Sequence, residues 1–201
     1  MEIKKIKPLQ QELLVSTALA SRRRFISQAG VATFSGLTVS ILGSGSASAA
    51  MDVTDDAVQQ DIRILNTAIA AEHEAVAAYQ VGAESGLLEA GVLNVAVQFQ
   101  GHHKEHIDAL AKAVSSLGGV AADTKNSYDF PVEKLKQQSD VLAFAAGLER
   151  GAVSAYAGAI PLFDNRDLSA AAASILADEA MHWAVLRNAL GLDPVPEAFF
   201  T

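Results

Sequence analysis

The residues best suited to chemistry in this chain are a glutamate and a histidine near its C-terminal end, one helical turn apart. Glu179 and His182 lie in a segment where apolar residues recur every three or four positions, so a helix would carry both side chains on its buried face. A buried carboxylate costs several kcal/mol unless a positive group meets it. An inward-facing Glu-x-x-His pair is therefore typical of one half of a dinuclear metal site inside a helical bundle.

An internal repeat predicts the other half of such a site. Residues 71–79 align with residues 148–156, each segment carrying a glutamate followed seven residues later by a tyrosine, and residues 103–106 align with residues 179–182. The polar residues of these segments fall on apolar stripes, where a lone histidine is usually a hydrogen-bonded core residue and a lone glutamate an ion-pair partner. The occurrence of several such residues together, at matching positions of the repeat, favours metal binding. The predicted ligands are Glu72, His103, His106, Glu149, Glu179 and His182.

Four helices would position these residues. Apolar periodicity predicts helices over residues 54–86, 92–117, 139–160 and 167–191. About twenty residues between the second and third helices have no sustained period, which suits a chain that must travel the length of a bundle before its next helix begins. We therefore predict an all-α fold, an antiparallel four-helix bundle with a long crossover between helices two and three.

The combined pattern resembles the ferritin-like superfamily of di-iron and di-manganese carboxylate bundles, and more narrowly its exported members, over residues 54–191. That family takes a Glu from helix one, Glu-x-x-His from helix two, a Glu from helix three and Glu-x-x-His from helix four. The resemblance implies two divalent metal ions, Fe or Mn first. His103 departs from the pattern, because the family has Glu there. The residues that match the family pattern are Glu72, His106, Glu149, Glu179 and His182.

The departure at His103 leaves three outcomes open. Three carboxylates leave one positive charge on two divalent ions, so the chain could form an altered dinuclear site, hold a single ion, or keep a degenerate site that binds none. The chain has no cysteine, so any metal must use oxygen and imidazole ligands, which suit iron, manganese and zinc alike. The ligand types alone do not select among these metals.

Three functions remain compatible with the sequence. The first is an exported oxidoreductase whose metal pair acts on peroxide or dioxygen, in the manner of a peroxidase, catalase or ferroxidase. The second is iron binding, oxidation or storage, and the third is a non-catalytic structural or stress-related bundle. The expected partners are metal ions, a small oxidant and, as one option, a second copy of the chain in a homodimer.

The first 49 residues do not belong to the predicted fold. The segment Ser21–Ser27 matches the twin-arginine export signal S-R-R-x-F-[LI]-x, an apolar run follows over residues 29–42, and Ala47-Ser48-Ala49 completes a cleavage site. The apolar run is too short to cross about 30 Å of hydrocarbon. We predict a cleaved signal over residues 1–49, a mature bundle domain over residues 50–201, and a location in the periplasm or otherwise outside the cytoplasm.

Removal of the signal makes the protein strongly acidic. Six of the 15 Lys and Arg residues and two of the 23 Asp and Glu residues lie in residues 1–49, so the remainder has nine basic and 21 acidic side chains and a net charge of −12. This charge opposes binding to nucleic acid and to anionic membranes. We therefore expect no nucleic-acid partner, and no membrane association after signal cleavage.

Overall fold

The computed structural model describes residues 55–200, and within that range it contains helices and no strand. The predicted four-helix bundle is confirmed, and each predicted helix boundary lies within a few residues of the observed one. The predicted signal over residues 1–49 lies outside the described residues. None of the helices in residues 55–200 is long and apolar enough to cross a membrane. The four helices are α1 (Asp55–Glu84), α2 (Ala90–Ser116), α3 (Gln138–Ala159) and α4 (Arg166–Ala189).

The helices pair as two hairpins, as the internal repeat predicts. Helix α1 packs mainly on α2, and α3 packs mainly on α4. A short connection joins the helices within each hairpin, whereas residues 117–137 form the predicted long connection from α2 to α3, with one 3-10 turn at Val132–Lys134. A second 3-10 turn, Ile160–Leu162, follows α3.

Two apolar clusters fill the bundle, and every helix contributes to both. One cluster contains Ile69, Leu110, Tyr156 and Ile175, and the other contains Tyr79, Phe99, Ala146, Leu142 and Leu186. Along each helix, the predicted metal ligands fall between the residues of these two clusters. The polar residues therefore occupy the middle of the core, with apolar layers on either side to exclude water.

Buried side chains fix the loops to the helices. Asp61 of α1 is 2% exposed, and its two carboxylate oxygens accept the backbone N–H groups of Asp164 and Asn165 at 3.0 and 3.1 Å. Asn165 caps α4 by accepting the N–H of Asp167 at 2.8 Å, so the helix begins at Arg166, one residue before its predicted start. These bonds fix the start of α4, the helix that carries Glu179 and His182, relative to α1.

The crossover is held in the same way where it leaves α2. Asn66 of α1 donates to the carbonyl of Val120 at 3.0 Å and accepts the N–H of Ala122 at 2.7 Å. Gly118 ends the helix with a positive φ of 78°, a conformation that glycine adopts without steric cost. The long connection thus begins as an ordered segment against α1.

Candidate metal centre

The structure brings all six predicted ligands together at one level of the bundle. Helix α1 supplies one glutamate, α2 two histidines, α3 one glutamate, and α4 a glutamate and a histidine. Five of the six are at most 3% exposed, and His106 is 13% exposed. Their donor atoms form two groups of four, in each of which all four atoms lie within 4.8 Å of one another. The groups are Glu72, His103, His106 and Glu179, and His103, Glu149, Glu179 and His182.

His103 and Glu179 belong to both groups and lie between the other four residues. The Nδ1 of His103 is 2.8 Å from Oε2 of Glu72, and its Nε2 is 3.4 Å from Oε1 of Glu149. The Oε1 of Glu179 is 3.1 Å from Nδ1 of His106, and its Oε2 is 3.4 Å from Nδ1 of His182. Each shared residue therefore presents one donor atom to either side.

Several buried donor atoms of the cluster have no hydrogen bond within the described chain. They are Nδ1 of His106, Oε2 of Glu149, both carboxylate oxygens of Glu179, and Nδ1 of His182. Buried polar atoms are normally paired, because leaving one unpaired costs about 1–3 kcal/mol. Five such atoms, carried by four residues of the buried cluster, fit divalent cations, which accept several oxygen and nitrogen donors at once.

The histidines hold the carboxylates of the cluster in their charged forms. Burial alone would raise the pKa of Glu72, but the hydrogen bond from His103 and the nearby imidazole of His106 outweigh it and lower that pKa to about 2. Burial opposes ionisation of Glu149 as well, and His103 and His182 together hold its pKa well below the usual range. Glu179 differs, because burial and the neighbouring Glu149 raise its pKa. Two carboxylates are thus firmly ionised, and the shared one binds a proton more readily.

The carboxylates in turn favour protonated imidazoles. Burial lowers the pKa of His103, but hydrogen bonds to Glu149 and Glu72 raise it to about 10. Burial also lowers the pKa values of His106 and His182, but attraction to the nearby carboxylates outweighs it and raises both to about 9. Without metal, the cluster is therefore a network of imidazolium and carboxylate groups. Because imidazole must lose a proton to bind a metal through that nitrogen, metal binding would release protons.

Two tyrosines hold the outer glutamates. The hydroxyl of Tyr156 donates to Oε1 of Glu72 at 2.6 Å, and the hydroxyl of Tyr79 donates to Oε1 of Glu149. Each tyrosine lies seven residues beyond the glutamate of its own helix but bonds to the glutamate of the other hairpin. Burial and the adjacent carboxylate raise both tyrosine pKa values well above the usual range, so both hydroxyls remain donors.

Two residues next to the cluster were missed as ligand candidates. Asp178 and His102 form a third donor group with His182. The side chains of Asp178 and His102 are 23% and 32% exposed, so this group lies on the solvent side of the buried cluster. The repeat carries the signal that could have found them, since His102 precedes His103 just as Asp178 precedes Glu179.

An apolar cavity of about 120 Å³ lies against Tyr79. All four helices line it, chiefly with small and aliphatic residues such as Ala78, Leu142 and Leu186. Phe99 links this layer to the cluster, because its ring stacks on His182 with centroids 3.9 Å apart and contacts Tyr79 edge-on at 6.3 Å. Tyr79, whose hydroxyl bonds to Glu149, thus also lines an apolar space large enough for a small molecule.

The family of the chain follows from comparison with known sequences. Residues 60–192, which cover most of the bundle and more than half of the chain, match the ferritin-like domain. The chain belongs to the ferritin-like domain family. This confirms the predicted superfamily and supports a metal-binding role of the buried glutamates and histidines. No curated protein matches the chain in sequence.

Solved structures support the same fold. A conserved hypothetical protein from Mycobacterium tuberculosis superposes with a TM-score of 0.62 at 22% identity, covering 71% of this chain and 99% of that one. The bacterioferritin-related protein of Bacteroides fragilis, a dodecameric thioferritin, gives 0.59 at 24% identity, covering 67% and 86%. A ferritin-like, diiron-carboxylate protein from Bacillus anthracis gives 0.59 at 19% identity, covering 68% and 99%.

Proposed function

We propose that the buried cluster binds two divalent metal ions, iron or manganese, and that the protein is an oxidoreductase acting on dioxygen or peroxide. The observation that carries the proposal is the pair of four-donor groups that share His103 and Glu179. When bound, redox-active ions of this kind supply the electrons for reduction of a small oxidant. A diiron-carboxylate protein of similar fold gives additional support.

The residues divide into terminal and shared ligands. Glu72 and His106 would hold one ion, Glu149 and His182 would hold the other, and Glu179 would offer one oxygen to each. His103 stands where the family has a fourth carboxylate. It would act as a neutral ligand, or as a ring that has lost both N–H protons and so supplies the missing negative charge.

The surrounding residues orient the ligands and exclude water. Tyr79 and Tyr156 hold one oxygen of Glu149 and Glu72, which leaves the other oxygen of each for an ion. Phe99 packs flat on the ring of His182 and restricts its rotation. The apolar cavity beside Tyr79 could admit dioxygen, because such a space favours an uncharged molecule.

Metal content and turnover together test this proposal. We expect protein isolated from its native host to contain two ions per chain by elemental analysis, and to consume peroxide or dioxygen with an external electron donor. Glu149→Gln should abolish turnover. Glu74→Gln, which removes a glutamate outside the donor groups, should leave turnover unchanged. Stoichiometric metal without turnover of either oxidant would overturn the enzymatic proposal, and absence of metal would overturn the site.

Iron oxidation and storage is the second candidate, favoured by the likeness in fold to a dodecameric thioferritin. Storage requires a closed shell of many chains, whereas turnover of an oxidant does not. Light scattering of the mature protein distinguishes the two, since a monomer or a homodimer excludes storage. A dodecamer that retains many iron atoms per chain would instead favour storage over turnover.

We also propose that the protein is exported by the twin-arginine route and works outside the cytoplasm. The segment Ser21–Ser27 and the small residues ending at Ala49 support this. Replacement of Arg22 and Arg23 by lysine should retain the full-length precursor in the cytoplasm, as cell fractionation would show. Unchanged export of that variant would contradict the proposal.

A further inference from the structure

Three side chains on the solvent side of the buried cluster place their donor atoms in a nearly equilateral triangle. The Nδ1 of His102 is 3.0 Å from Oδ2 of Asp178 and 3.0 Å from Nε2 of His182. The Nε2 of His182 is 3.2 Å from the same Asp178 oxygen. Helix α2 contributes His102, and α4 contributes the other two residues, so the triangle joins the two hairpins.

The spacing of this triangle suits a cation better than it suits hydrogen bonds. Neighbouring ligands at about 2.1 Å from an octahedral ion lie about 3.0 Å apart. A hydrogen on His102 Nδ1 can point towards Asp178 or towards His182 but not towards both, so hydrogen bonds leave one close contact unsatisfied. Two imidazoles and a carboxylate with open positions are a set that Fe(II) and related ions accept.

His182 belongs to both the triangle and the buried cluster. Its Nε2 faces His102 and Asp178, whereas its Nδ1 is 3.5 Å from Oε1 of Glu149 and 3.4 Å from Oε2 of Glu179. A neutral imidazole has one free lone pair and so binds one ion at a time. An ion on Nε2 and an ion on Nδ1 of His182 therefore exclude each other unless the ring loses both protons.

We propose that His102, Asp178 and His182 form a loading site that captures a divalent transition-metal ion from solvent and passes it to the buried cluster. The exposure of His102 and Asp178, at 32% and 23%, gives the ion access to solvent. The ring of His182 spans the path from the exposed group to the buried one. Capture at the triangle stands by itself, whereas delivery rests on the proposed metal centre.

A simpler role would account for Asp178 but not for His102. The Oδ2 of Asp178 also lies 3.4 Å from Nε2 of His106, so the carboxylate could merely orient the two imidazoles whose Nδ1 atoms face inward. Orientation requires no third imidazole. The His102 side chain therefore distinguishes a loading site from an orienting carboxylate.

The first experiment measures how fast metal-free mature protein takes up Co²⁺, followed by its visible absorption in a stopped-flow instrument. The variant His102→Ala lacks one of the three triangle ligands. We expect it to take up Co²⁺ about tenfold more slowly than the wild type, with the final number of bound ions unchanged. The matched control is His73→Ala, which removes a half-buried histidine outside the donor groups and should fill at the wild-type rate. Equal filling rates in His102→Ala and wild type would overturn delivery through this site.

The second experiment isolates the triangle from the buried cluster. A Glu72→Gln/Glu149→Gln variant removes two buried carboxylates but keeps the three triangle residues, and we expect it to bind one Co²⁺ per chain by calorimetry. Adding His102→Ala should abolish that binding, whereas adding His73→Ala should not. Binding that survives His102→Ala, or no binding before it, would overturn the loading site.

Crystals of the wild-type protein soaked briefly in Co²⁺ provide a measurement that does not depend on the folding of a variant. An anomalous peak among the three triangle atoms supports the loading site, and peaks confined to the buried cluster oppose it. These experiments also distinguish failure of the loading site from failure of the buried metal centre. An ion at the triangle with none in the cluster even after prolonged soaking overturns the metal centre alone, and filled inner sites with no effect of His102→Ala overturn the loading site alone.

Discussion

The two hairpins of this bundle place polar residues at equivalent positions but differ in charge. The α1–α2 hairpin contributes one glutamate and two histidines to the buried cluster, and the α3–α4 hairpin contributes two glutamates and one histidine. With the histidines protonated, the first contribution is positive overall, whereas the second is negative when Glu179 is ionised and neutral when Glu179 is protonated. The repeat therefore sets where the candidate ligands lie, whereas the difference between His103 and Glu179, which occupy equivalent positions of the repeat, sets the charge difference that attracts one hairpin to the other.

The largest expected effect is that of pH on the metal-free protein. His106 and His182 each have a pKa of about 9 in the folded protein, compared with 6.5 in the unfolded chain. A pKa raised by folding stabilises the fold fully below the unfolded pKa, and the contribution is lost as pH rises through the folded pKa. The free energy of unfolding should therefore fall by several kcal/mol between about pH 6.5 and pH 9.

Urea denaturation of chelator-treated protein at a series of pH values measures this loss. His182→Gln should show a shallower dependence on pH than the wild type, because one titrating group has gone. If the free energy of unfolding of the wild type does not change with pH, imidazolium and carboxylate groups do not hold the two hairpins together.

Removal of the shared carboxylate should weaken binding of both ions. Glu179→Gln keeps the shape of the side chain but removes a negative charge that both four-donor groups share. We therefore expect the affinity for each ion to fall by about 100-fold. Glu149→Gln should mainly affect the second group, because Glu149 belongs to that group alone. Calorimetric titration with Mn²⁺ compares the two variants, and equal losses at both steps in both variants would argue against two distinct positions.

The tyrosine hydroxyls test how equivalent the hairpins are. Tyr79→Phe and Tyr156→Phe each remove a hydrogen bond to a buried carboxylate, which should cost about 2 kcal/mol in the free energy of unfolding of the metal-free protein. Similar losses would indicate equivalent hairpins. A loss in only one variant would show that the glutamate facing the other tyrosine finds a replacement partner.

The smallest expected effect comes from making the hairpins more alike. His103→Glu restores the carboxylate that the family pattern has at this position, and the added negative charge should raise affinity for the second ion by about tenfold. His103→Gln, which restores no charge, provides the control. If the glutamate variant binds the second ion no better than the glutamine variant does, charge is not what limits binding at His103.

Much of the fold and of the candidate centre could be predicted because the information is local in the chain. The four helices follow from the spacing of apolar residues, and Glu72 or Glu149 stands out because a carboxylate on an apolar stripe requires a compensating partner. The repeat then indicates which polar residues face each other. Helix ends were less certain, as at Asn165, because a cap depends on one hydrogen bond in a loop.

The sequence by itself determined four amphipathic helices and six inward-facing polar residues, which follow from apolar periodicity, and the pairing of the helices in two hairpins, which follows from the internal repeat. Only the tertiary structure decided that His103 and Glu179 lie between two donor groups, and that each tyrosine bonds to the glutamate of the other hairpin. It also brought His102 and Asp178 together. Each lies about 100° away from the apolar stripe of its own helix, so the two meet only where α2 packs beside α4.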